Sequence, residues 1–437
     1  MRYYIPIVLV EVYLCATLLV FQFGPVSYRV HDPAALWGFI FLYHVSMVVG
    51  YVLACRKKPA VEKVSWHSQN YSPAVVWGLM LLAVVASILG HRNITGSMSL
   101  FSVSFLQELI YGVNAPGIQY AQKVARVMSE GYAGDKFSNV LYFLVSPAKV
   151  IIIPVLIFFW DRMSVMMRVL GLFVSVLPVL SGVSVGTNKP VFDFAIFFAS
   201  SLAVYFALNR IREGVFAFHK RKFFLVLSIF SFLGAVFYFG WSLHGRSADM
   251  TYITSGSVLG DISIRANPGL NEGWSGFLMF TFMWLSSYLA QGYYGFSLAL
   301  EQSFTSTYGF GNSPFLMRQF EWVTGVDISA NTYQHKISAA WGETSQWHSL
   351  YSHVANDVGF YGVAVFCLVF GFYLAKIWIS IVDTDNLWAK LLVPLFALAV
   401  IFMPANNQVL GYLDSFSTFS ILTLIWLCSV RKKRRMA

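Results

Sequence analysis

Charge is scarce in this sequence. Aspartate, glutamate, lysine and arginine make up 11% of its 437 residues, against about a quarter in an ordinary soluble domain. No soluble core needs so much apolar surface, even one divided among the roughly three domains the length allows. The shortage excludes a soluble enzyme, a disordered chain and a coiled coil. Cysteine is scarce too. Cys15, Cys55, Cys367 and Cys428 lie in or at the edge of apolar stretches, which excludes a disulfide framework and argues against a cysteine-based metal site. Neither a Walker A loop nor a Rossmann glycine pattern occurs, and there is no H-E-x-x-H. His335, His348 and His353 lack metal-ligand company, and a catalytic serine is not supported. No repeat or low-complexity tract divides the chain. The expectation is a protein with no metal and no cofactor.

What the sequence has is apolar surface: 57% hydrophobic residues, 17% aromatics and a mean hydropathy of +0.63. Apolar runs long enough to cross a ~30 Å hydrocarbon core lie at about 4–24, 35–55, 74–91, 138–160, 168–186, 190–208, 223–243, 357–380, 388–404 and 415–430. They predict an all-α polytopic membrane protein, a single integral membrane domain over 1–437 with about 10 full transmembrane helices. The first run has only Arg2 as a basic n-region and no small-x-small site after it, so it reads as a span rather than a cleaved signal peptide.

The net charge of +10 sits in short basic runs between the apolar stretches. That is how membrane topology is written, and it does not suggest nucleic-acid binding. Arg56/Lys57/Lys58/Lys63, Arg210/Arg212/Lys220/Arg221/Lys222 and the tail Arg431–Arg435 all go to the cytoplasm by the positive-inside rule. Both termini are then cytoplasmic and the number of crossings is even. Residues 276–302 are apolar enough to span, yet one more crossing would break that parity. They are therefore expected to be broken or re-entrant near Ser287–Tyr294, where Gly292 and Gly295 interrupt the run.

With this orientation the outer face carries three long segments, 92–137, 244–275 and 303–356, as a cap over the membrane domain. The first holds two amphipathic helices, with Phe101, Phe105, Leu109 and Val113 on one face and Tyr120, Val124 and Val127 on another. The other two concentrate groups that suit a glycan and a phosphate. Arginine forks grip phosphate oxygens, which singles out Arg246, Arg265 and Arg318, with Lys189 in G-T-N-K-P as a further ligand. Trp322, Trp341, Trp347 and Tyr351 offer flat faces for sugar rings. The alternative for Arg246 is an arginine snorkelling to the interface.

His348, beside Trp347, is the first choice of general base, with Glu343 second and His353 third. His353 and Asp357 are i, i+4 neighbours, so Asp357 either fixes the His353 tautomer or caps the helix start. Glu11 and Lys149 are intramembrane and are expected to be paired or functional.

L-S-G-V-S-V-G-T-N-K, S-Y-L-A-Q-G-Y-Y-G and W-H-S-L-Y-S-H-V-A-N-D-V-G-F-Y-G, with the large late outer loops, resemble the bacterial O-antigen polymerases called Wzy, relatives of the O-antigen ligases. The resemblance implies a GT-C-like inner-membrane glycosyltransferase acting at the periplasmic face. It would move a growing glycan from undecaprenyl diphosphate to a sugar hydroxyl of another lipid-linked repeat unit, without metal or nucleotide. It implies essential outer-loop arginines within R-x10-G-like stretches. Arg265 and Gly276 match that spacing, whereas Arg318 is followed by Gly325 and departs from it. It also implies partners: the lipid-linked oligosaccharide, membrane lipids and a chain-length-regulating co-polymerase of the Wzz type, with no nucleic acid. An O-antigen ligase is the alternative within the same class. A lipid-linked oligosaccharide flippase is the alternative from another, and the lack of repeated halves speaks against it.

Overall fold

A computed structural model describes residues 2–56, 72–130, 136–213, 221–246, 258–259, 262–264, 273–343 and 346–436. Arg265, Lys57, Lys58, Lys63, Lys220 and most of the 244–275 segment lie outside the described residues. The described chain is helical nearly throughout, as its composition requires. The helices are α1 (Ile5–Phe23), α2 (Pro33–Arg56), α3 (Pro73–Thr95), α4 (Val103–Asn114), α5 (Pro116–Glu130), α6 (Lys136–Phe159), α7 (Val165–Ser184) and α8 (Lys189–Glu213). They continue with α9 (Lys222–His244), α10 (Gly273–Leu300), α11 (Pro314–Thr324), α12 (Tyr333–Lys336), α13 (Leu350–Thr384), α14 (Leu387–Phe402) and α15 (Leu413–Met436). Among the described residues nine of these, α1–α3, α6–α9, α13 and α15, are long and apolar enough to cross a membrane, and α14 is a shorter apolar helix. The chain is an all-α polytopic membrane protein. One small feature was not legible: Val26–Tyr28 (β1), Val258–Leu259 (β2) and Ile262–Ile264 (β3) pair antiparallel in the order β1-β3-β2. Strands of two or three residues are too short to show a period.

The expected break in 276–302 is corrected. Helix α10 is one continuous helix of 28 residues, about 42 Å long at 1.5 Å per residue, although it is not among the nine apolar spans. Gly292 and Gly295 serve close packing. A Cβ on Gly292 would lie 2.3 Å from the Pro404 carbonyl oxygen, and one on Gly295 would lie 2.8 Å from the Trp341 indole nitrogen. The interruption occurs in α13 instead, where Gly359 leaves helical geometry at φ 66°, ψ 171°, a region glycine enters without steric cost.

The residues group into two compact units interleaved along the sequence. The first comprises 1–66, 251–386 and 398–416; the second comprises 67–250, 387–397 and 417–437. In the first unit α2 and α13 approach backbone to backbone. A Cβ on Gly50 would meet the Leu368 carbonyl oxygen, and one on Gly371 would lie 2.0 Å from that of Met47. Small residues permit this contact, which is how helices associate where no hydrophobic driving force exists. Gly371→Val is expected to cost at least the roughly 1–3 kcal/mol of an overpacked core, read as a lower Tm and lower monodisperse yield in detergent. An unchanged Tm would show that the two helices separate freely.

In the second unit, buried His91 of α3 is held by Ser181 of α7 at 2.9 Å and by Ser99 at 3.0 Å, and Ser99 donates in turn to Glu108 of α4. Intramembrane Lys149 donates to the Tyr142 hydroxyl and lies 5.0 Å from its ring centroid.

Candidate functional site

The first unit places the W-H-S-L-Y-S-H segment against S-Y-L-A-Q-G-Y-Y-G. Ser349 caps α13, its hydroxyl accepting from the Ser352 N–H, so His348 immediately precedes the cap. Gly292 admits the Ser349 amide, and the place where Gly295 would carry a Cβ lies 3.5 Å from His348 Nδ1. His348 is 2% exposed. Its Nε2 lies 3.3 Å from the Gly342 carbonyl. A carbonyl only accepts, so Nε2 carries the proton and Nδ1 the lone pair. Nδ1 is buried with no hydrogen-bond partner, which makes it the atom able to take a proton. Burial pushes the imidazole down from 6.5 to about 4, with the Gly342 carbonyl opposing.

His353 is close behind, its ring centroid 6.4 Å from that of His348, and its Nδ1 is also buried without a partner. The Tyr351 hydroxyl is a third such atom within six residues. Buried polar atoms are normally satisfied, so three in one turn and a half of chain mark this segment.

Asp357 is not the partner of His353. Its carboxylate accepts from the Thr307 hydroxyl, the Gly309, Gly311 and Asn312 N–H groups and the Asn312 side-chain amide. Asn356 adds a bond to the Gly311 carbonyl and accepts from the Tyr333 N–H. This pair organises the 307–312 loop and the start of α12, and the i, i+4 relation to His353 has no catalytic content. Glu343 is 3.0 Å from His335 Nδ1, with both side chains partly exposed.

The aromatic residues divide. Trp341 is buried, donates to the Trp347 carbonyl and meets Tyr294 edge-on at 5.1 Å. Tyr351 is buried between Tyr43 and Phe296. Packing on both corrects the expectation that they stack on sugars. Trp347 is half-buried against Tyr288 and Phe402, and Trp322 is exposed on α11, which also carries exposed Arg318.

The second unit places Arg246 and Lys189. Arg246 follows α9, and its guanidinium donates to the Gly186 carbonyl and lies 3.6 Å from the centroid of the Tyr120 ring. Gly186 belongs to L-S-G-V-S-V-G-T-N-K and has φ 65°; a Cβ there would lie 2.2 Å from the Pro116 carbonyl oxygen. The same turn supplies Asn188, whose side chain accepts from Ser242 of α9. The motif therefore builds the seat of Arg246, which is held in place rather than snorkelling.

Lys189 is 2.5 Å from Asp193, one turn on, so its charge is offset. Sequence reasoning missed Lys123. Three residues after Tyr120 on α5, its ammonium lies 5.2 Å from the same ring centroid. Burial and then the nearby Arg246 charge push it down to about 8. Two cations thus meet on one tyrosine ring. The signal for Lys123 was its i, i+3 relation to Tyr120.

Ser184 stands in G-V-S-V-G, which has the spacing of a serine-nucleophile motif. It lies in α7 instead of a strand-to-helix turn, it is buried, and its hydroxyl donates to the Ser181 carbonyl, so it is no nucleophile elbow. No protein-family model, curated protein or solved structure matches the chain.

Proposed function

We propose that this protein is a glycosyltransferase of the bacterial inner membrane that polymerises undecaprenyl-diphosphate-linked oligosaccharide repeat units at the periplasmic face. The observation that carries the reading is the buried His348 Nδ1, a lone pair with no protein partner beside Gly295. A sugar hydroxyl is a poor nucleophile at neutral pH, and a neutral imidazole suits removal of its proton. Arg246, with Lys123 beside it on the Tyr120 ring, is assigned in this reading to the diphosphate, whose oxygens gain charge as it leaves. The resemblance of three motifs to O-antigen polymerases supports this substrate class, and a Wzz-type co-polymerase is the expected partner. Both termini are cytoplasmic in this reading. An impermeant thiol reagent should label Ala330→Cys in intact cells, and labelling only after lysis would reverse the orientation.

The test is the surface-polysaccharide profile of a deletion strain. Core bearing a single repeat unit is the expected result. Complete absence of attached repeats points to a ligase, repeat units held at the cytoplasmic face point to a flippase, and either outcome ends the polymerase reading.

A further inference from the structure

Glu11 is the only charged residue of α1, and His44 lies near the middle of α2, eleven residues from its start. A carboxylate at such depth is expensive and needs a compensating group. His44 Nδ1 lies 2.6 Å from Glu11 Oε2. An ion pair alone accounts for one atom of each residue. It leaves Glu11 Oε1 and His44 Nε2 buried with no hydrogen-bond partner. It also gives no role to Cys15, one turn on from Glu11 on the same face of α1. The three side chains each offer a ligand atom, and these atoms all lie within 4.8 Å of one another.

We propose that Glu11, Cys15 and His44 form a binding site for a divalent ion of the zinc class, joining α1 to α2 inside the membrane-spanning part of the first unit. The donor set decides the class. Magnesium and calcium require six or more oxygens, whereas imidazole, thiolate and carboxylate together suit a borderline-soft, four-coordinate ion. Charge balance agrees. A carboxylate and a thiolate carry two negative charges, and with a neutral imidazole a divalent cation brings the group to zero, the least costly state in an apolar medium. Three protein ligands leave one position open. Cys15 lies at the exposed edge of the cluster, and Glu11 and His44 are more buried. Cysteine spacing along the sequence does not reveal the site, because its third ligand comes from another helix. It stands whether or not the chain polymerises glycans.

The experiment is titration of the tag-free, chelator-stripped full chain in detergent with Co2+, followed by optical spectroscopy. One equivalent should give the intense visible bands of four-coordinate cobalt and a near-ultraviolet thiolate charge-transfer band, and Zn2+ should displace both. Cys15→Ser should lose the charge-transfer band while Cys428→Ser keeps it. Glu11→Gln and His44→Gln should each weaken the affinity at least tenfold, beyond the loss of an outer partner at the low end of its range. Cys15→Ser is close to isosteric, so the comparison survives if the other two variants fold poorly. No charge-transfer band in the parent protein, or an equal band in Cys15→Ser, would reduce the cluster to an ion pair and overturn the proposal.

Discussion

Replacing His348 by alanine is expected to lower polymer formation from purified lipid-linked repeat units by about 10²–10⁴-fold, the range of a positioned general base. The pH profile distinguishes that role from a packing defect. A base must be neutral to accept a proton, and an unperturbed imidazole would lose activity below about pH 6.5. His348 is held at about 4 by burial. The parent rate should therefore show no loss from this group near pH 6.5 and should fall only as pH approaches 4. The linkage has a second consequence. Between 4 and 6.5 the unfolded chain binds this proton and the folded chain does not, so the stability contribution shrinks as pH falls through that window. Gly295→Ala would place a methyl against the Trp341 indole and beside Nδ1, and should lower the rate with His348 intact. A wild-type rate and profile from His348→Ala would make this histidine a packing residue.

Arg246→Ala is expected to cost about 10²–10³ in the same assay, as for other preorganised electrostatic stabilisers. The guanidinium is fixed by the Gly186 carbonyl and the Tyr120 face, so it needs no reorganisation when charge develops on the leaving diphosphate. Arg246→Lys keeps the charge, loses the fork and should retain partial activity. Lys123→Met should show a smaller loss in the same direction, because a single ammonium makes no bidentate contact. The measurement is initial rate at matched, folded protein. Normal long-chain product from both Arg246→Ala and Lys123→Met would remove this cation pair from the reaction.

Hydropathy and helical period are local properties, and what depends on them alone could be read along the chain. The spans from 4–24 to 415–430 agree closely with the helices, with α13 reaching farther back than its predicted start. The two amphipathic helices before residue 131 fall where Phe105 and Tyr120 predict them. Gly292 and Gly295 were expected to interrupt their run, and they admit neighbours within a continuous helix instead. A glycine in a helical run has the same appearance whether it breaks the helix, as Gly359 does, or admits a neighbour, as Gly292 and Gly295 do. Only the partner decides between them, and the partner lies far along the chain.

The same holds for the charged groups. Asp357 beside His353 is ambiguous on a helix face until the 307–312 loop fills its carboxylate. Lys123 acquires significance only when α9 ends with Arg246 on the same tyrosine ring, and Glu11 only when α2 brings His44 to it. Composition determined that this chain is a bundle of membrane helices, because transfer of apolar side chains out of water is summed along the sequence. Which side chains work together was decided by helix packing, because that depends on distances between residues that no local pattern encodes.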